Sequence, residues 1–158
     1  MTKHELLVPA GDMESLKQAI FNGADAIYLG CKSFGARKFA KNFDNEEIIQ
    51  AIKLAHLHGV KIYVTMNTLV KDEEVSDFLN QVEFLHKNGV DAILIQDFGM
   101  LCLIREKYPN LEVHASTQMT VGTLEGLYEL KKLGFTRAVL PRELNFEDCS
   151  NKLLEYSL

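Results

Sequence analysis

His114 and Ser116 stand two residues apart in the run EVHAS, residues 112–116. On an extended strand their side chains leave the same face, which is either the interior of the fold or its helix layer, where His114 would be a satisfied core histidine. An imidazole and a hydroxyl so placed can hold a proton or hydrogen-bond a substrate. Asp97 follows the apolar run Ala92–Ile95. It can be a buried carboxylate serving as acid or base, or the cap of a helix opening at Phe98. Asn67, Gln96 and Gln118 carry carboxamides close behind β-rich runs and can orient a substrate, or in the case of Asn67 simply bridge strands. Arg142 can hold an anion, or pair locally with Glu143. Cys31 can be a nucleophile, a metal ligand, half of a Cys–His pair with His114, or simply a small hydrophobe. The catalytic candidates are therefore Asp97 and His114. The binding candidates are Arg37, Asn42, Asn67, Gln96, Ser116, Gln118, Arg142 and Glu143.

Arg37 and Asn42 come from an unusual stretch, GCKSFGARKFAKNF, residues 30–43. It holds four cations, three phenylalanines and no acid in a chain with 17 basic and 22 acidic residues. The stretch can be a solvated loop with its phenylalanines tucked under their neighbours, or one in which Arg37 and the lysines meet an anion such as phosphate and Phe34 or Phe39 stacks on a base.

The elements that must position these residues repeat. Segments 22–30, 58–67, 88–97 and 133–142 each begin with a glycine suited to a helix C-terminus and continue as a short apolar, β-branched run. Runs apolar on both faces suit parallel strands covered on both sides. Segments 5–10 and 112–116 bring the candidate strands to six. Amphipathic patterns lie between them, at 45–58 and 73–88 and after Thr123, with a sixth from about Asn145. Asp12 and Asp44 are suited to cap helices, Asp44 with Glu47 three residues on. Alternating β and α predicts a parallel sheet with right-handed crossovers. The alikeness of the units, with no glycine fingerprint after the first strand, favours a TIM-barrel-like (β/α) repeat over a doubly wound sheet. Such barrels have eight units and this chain supplies about six. The expectation is a single domain over 1–158, an incomplete barrel, whose open edges are covered by a partner chain or a second copy. In these folds the working groups collect at the C-terminal ends of the strands, where the polar residues above fall.

A net charge of −5 argues against a footprint spread over the whole surface for nucleic acid, though not against one basic patch. No apolar run suggests a membrane span or a leader, and three scattered cysteines suit a reducing cytoplasm. GxSxG, HExxH, Walker and GxGxxG motifs are all lacking.

Seven motifs occur together and in order: ELLVPAG at 5–11, GADAIYLG at 23–30, Ala36-Arg37 with Asn42-Phe43, YVTMN at 63–67, QDFG at 96–99, HASTQM at 114–119 and RAVLPREL at 137–144. As a set they resemble the N-terminal part of the peptidase U32 family, the prokaryotic collagenase-like proteins. The resemblance implies a barrel-like domain and one of two activities. One is proteolysis of collagen-like substrates; the other is oxygen-independent hydroxylation, of transfer RNA uridine or ribosomal RNA among other substrates. It also implies an iron–sulfur cluster in longer members, bound through a cysteine-rich signature downstream of the Arg-Glu-Leu motif. The expectation for this chain is no cofactor of its own, an RNA or peptide substrate, and activity that depends on more than residues 1–158.

Overall fold

The structure, a computed structural model, describes residues 4–36, 41–145 and 147–149. Its elements alternate as the sequence predicts: β1 (Leu7–Ala10), α1 (Met13–Phe21), β2 (Ala26–Gly30), α2 (Asn45–Leu57), β3 (Lys61–Thr65), α3 (Val75–Lys87), β4 (Ala92–Ile95), α4 (Phe98–Lys107), β5 (Glu112–Ala115), α5 (Leu124–Lys132) and β6 (Arg137–Ala138). The expected sixth helix falls largely outside the described residues.

Local chemistry sets the boundaries. Asp12 accepts from the Ser15 amide, and Asp44 from the Glu47 amide at 2.9 Å while Glu47 accepts back from the Asp44 amide at 3.0 Å. These reciprocal bonds satisfy donors that a helix leaves unpaired. Gly23, Gly59, Gly89 and Gly134 have φ between 71° and 95°, the left-handed turn that ends a helix and starts the next strand.

All six strands pair in parallel in the order β1-β2-β3-β4-β5-β6. Sequential order is that of a barrel; a doubly wound sheet would reverse direction from an inner strand. The sheet curls enough that Arg137 at the start of β6 hydrogen-bonds Glu5 just before β1, 132 residues away. Each strand presents two layers. Ile27, Leu29, Ile62, Val64, Ile93, Ile95 and Val113 pack outward against the helices with Leu16, Ile48, Phe78 and Ile104. Ala26, Tyr63, Ala92 and Leu94 form a smaller inward cluster with Leu7 and Tyr28. Fully burying each large side chain contributes about 1.5–3 kcal/mol, so the larger outer layer holds most of the stabilisation. Among the described residues, β1 and β6 have no second strand neighbour.

Candidate functional site

Strand parity builds the site. On β5, Glu112, His114 and the following Ser116 face inward; on β3, Tyr63, Thr65 and the following Asn67 do the same. The lower part of this interior is an ionic floor. Glu5 accepts from Arg137 and, at 3.0 Å, from the Tyr63 hydroxyl. The Arg137 guanidinium lies 5.2 Å from the Tyr63 ring centroid. His114 Nε2 is 2.9 Å from Glu112 Oε1, and its ring meets Tyr63 edge-on at 4.7 Å. The Arg137 hydrogen bond holds the Glu5 carboxyl below the usual range, and burial pushes the Tyr63 hydroxyl up. Burial also lowers the His114 pKa, so the ring is neutral at pH 7.

Above the floor is the mouth, a cavity of about 390 Å³. Leu7, Pro9, Leu94, Val139 and Leu140 give it apolar walls, beside Tyr28 and Thr65, and Asn67, Ser116, Gln118 and Arg142 give it polar ones. Asn67 ties the rim together. Its Oδ1 accepts from the Ala36 amide at 3.2 Å, its Nδ2 donates to Ser116 Oγ at 3.2 Å, and its carbonyl accepts from Gln96 Nε2 at 3.0 Å. Ser116 Oγ also accepts from the Gln118 amide at 3.3 Å. With two bonds accepted, the hydroxyl proton is what Ser116 has left to donate. Thr117 Oγ1 donates to the Leu140 carbonyl, which brings the 116–118 turn beside Arg142.

The loop after β2 is clamped at both ends. The Phe34 carbonyl accepts from the Thr68 amide and hydroxyl, and its ring meets Phe78 edge-on at 5.2 Å. Phe34 holds φ 63°, a conformation costly for a non-glycine residue and retained here by those contacts. At the far end Phe43 exchanges backbone bonds with Gly30 and Lys32. Asn42 lies directly on Gly30, where a Cβ would come within 2.6 Å of Asn42 Oδ1. Asn42 also lines a second hollow of about 920 Å³, between this loop and α3, with Lys32, Asn45, Lys71, Asn80 and Gln81.

The candidates thus separate. Asn67, Ser116, Gln118 and Arg142 share the mouth, with Gln96 hydrogen-bonded to its rim and Asn42 beside it. His114 lies one inward step below, engaged with Glu112. Asp97 caps α4, accepting from the Met100 amide at 3.2 Å and the Val70 amide at 3.4 Å, and does not line the cavity. Glu143 is exposed and also outside the cavity wall. Arg37, Lys38 and Phe39 lie outside the described residues. Phe34 is half-buried against the outer layer, as the reading with tucked phenylalanines expects, and also lines the second hollow. Sequence reasoning missed Tyr28 and Thr65 in the mouth and Glu5, Tyr63, Glu112 and Arg137 in the floor; counting by twos from Asn67 and Ser116 would have found Thr65, Tyr63 and Glu112.

A cysteine-bound cluster does not fit the residues described. Cys31 is buried on the helix side of the sheet, opposite to His114, with its thiol against the Ser33 and Thr65 carbonyls and its pKa pushed by burial to about 11. That is the environment of an inert thiol, and it removes the Cys31–His114 pair. Cys102 is exposed and Cys149 half-buried, and among the described residues no group of three His, Cys, Asp or Glu side chains converges on a metal position. No helix among those residues is long and apolar enough to cross a membrane.

Curled sheet, sequential parallel strands and a polar mouth at the strands' C-terminal ends define a TIM-barrel-like domain with its cavity where such domains bind substrates. The chain belongs to peptidase family U32, whose model matches residues 11–151. It is 43% identical over 143 residues to the 23S rRNA 5-hydroxycytidine C2501 synthase of Escherichia coli, covering 90% of this chain and 21% of the relative. It is 38% identical over 141 residues to tRNA hydroxylation protein P1 of Bacillus subtilis, covering 89% of this chain and 33% of the relative. The solved structure of the U32 peptidase Mk0906 aligns with a TM-score of 0.80 at 15% identity, covering 99% of this chain and 66% of that one. The chain therefore spans a fifth to a third of the two RNA-modifying relatives.

Proposed function

We propose that this chain is the substrate-receiving barrel portion of an RNA-hydroxylation protein, working on ribosomal or transfer RNA in the cytoplasm. The carrying observation is the mouth itself. It sets an apolar wall against Arg142 and Gln118, whose side chains have no hydrogen-bond or ion-pair partner among the described residues. A cation and a carboxamide left open beside an apolar surface suit a nucleic-acid substrate, and two relatives carry RNA hydroxylation in their names. In this reading a partner chain or a second copy covers the open β1 and β6 edges.

The peptidase alternative needs a nucleophile paired with a base. Ser116 accepts from Asn67 and Gln118, while His114 Nε2 is engaged by Glu112, so among the described residues no base is set to activate the hydroxyl. The test is fluorescence anisotropy of this chain with labelled transfer RNA and a 23S rRNA fragment. Binding that weakens with salt and with Arg142→Ala is expected; gelatin cleavage lost in Ser116→Ala, with no RNA binding, would overturn the reading.

A further inference from the structure

We propose that the mouth receives a single nucleotide extruded from the RNA, its base against the apolar wall and Tyr28 and its phosphate at Arg142. This rests on the RNA reading above and adds which part of the RNA enters and how it is held. The cavity, about 390 Å³, is at the scale of a small-molecule site and excludes a duplex. Enzymes that act on a base take it out of the stack into such a pocket.

The polar groups divide by what they are already doing. Asn67 spends its carboxamide on Ala36 and Ser116 and acts as a positioning residue for the rim. Gln118, by contrast, donates its backbone amide to Ser116 Oγ, and its side-chain carboxamide has no partner among the described residues. A carboxamide offers a donor and an acceptor together, the pattern that reads the edge of a base. The Ser116 hydroxyl proton points to the same use. Arg142 is exposed at the lip, where a sugar–phosphate would remain when the base is inside. A charge-assisted bond from guanidinium to phosphate supplies affinity, and the carboxamide supplies choice.

The experiment is an NMR titration of the full 158-residue chain, labelled with nitrogen-15, with cytidine, cytidine and uridine 5′-monophosphates and inorganic phosphate in turn. Single-stranded and duplex RNA binding is measured in parallel. The monophosphates are expected to shift the Gln118 side-chain amide and to bind about tenfold more tightly than cytidine, a difference that Arg142→Ala removes. Gln118→Ala is expected to weaken cytidine itself, and single-stranded RNA to outcompete duplex. Both residues are exposed, so an unchanged amide spectrum elsewhere verifies folding. RNA binding with no monophosphate response at Gln118 overturns the extruded nucleotide and leaves the RNA reading standing. Inorganic phosphate binding as tightly as the monophosphates makes the site one for a free anion, which also overturns it. Failure of every RNA to bind overturns the functional reading itself.

Discussion

Substituting Arg137 and Glu5 tests whether the ionic floor couples the first and sixth strands. The pair joins residues 132 apart, and its side chains are 34% and 25% exposed. A hydrogen bond between charged groups contributes about 1.5–3 kcal/mol when well buried. With about a third of the Arg137 side chain reaching water, screening brings the expected coupling to about 1–2 kcal/mol. Arg137→Met also removes the cation over Tyr63, worth about 0.5–1 kcal/mol, and Glu5→Gln leaves the Tyr63 hydroxyl an acceptor of the same shape. A double-mutant cycle cancels these private terms. Urea unfolding of the wild type, Glu5→Gln, Arg137→Met and the double variant gives the coupling, which should shrink at high salt. A coupling under about 0.3 kcal/mol, within the usual additivity error, would refute the argument and leave the curl to the backbone ladder alone.

Asn67→Ala removes the bonds to Ala36 and Ser116, at a cost of about 1–3 kcal/mol. It should also free the loop over Cys31, so that this thiol reacts with a maleimide in a Cys102→Ser, Cys149→Ser background; unchanged labelling would remove the clamp. The floor also predicts a pH dependence. Because burial depresses the folded pKa of His114, its contribution is intact above the ordinary histidine value of 6.5 and is lost as pH falls below it. Glu5, lowered by Arg137, adds a second loss below the ordinary glutamate value of 4.5. His114→Gln should flatten the first phase in thermal melts between pH 7 and 5, and an unaltered slope would show that His114 titrates freely.

Much of the frame was legible because its signals are local. Glycine before an apolar run marks a helix end and a strand start, and Asp44 with Glu47 marks a helix start, whatever lies elsewhere in the chain. The site was harder, because it depends on which face of each strand turns inward. Ala26-Ile-Tyr-Leu29 is apolar on both faces, so nothing in it says that Tyr28 lines the cavity and Ile27 the helix layer. The same ambiguity left His114 between the interior and the helix side. Asp97 had two local readings, and the Met100 and Val70 amides give the capping one its partners. Glu5, Tyr63, Glu112 and Arg137 are scattered over 133 positions, and only the curl of the sheet gathers them.

That curl assigns separate duties to neighbouring inward residues. A step of two residues along a strand advances about 7 Å, so Glu112, His114 and Ser116 climb from floor to mouth, as Tyr63, Thr65 and Asn67 do on β3. The charged and aromatic members fall on the lower step, where they meet one another. The small hydroxyl and carboxamide members fall on the upper step, where they border open space. His114 is therefore engaged by the layer beneath it, and Ser116 borders the mouth. Among the described residues that line the mouth, the polar groups are hydrogen-bonding side chains and the Arg142 cation at the lip. In the function proposed above these groups hold and orient the substrate, in a chain that spans a fifth to a third of its RNA-modifying relatives.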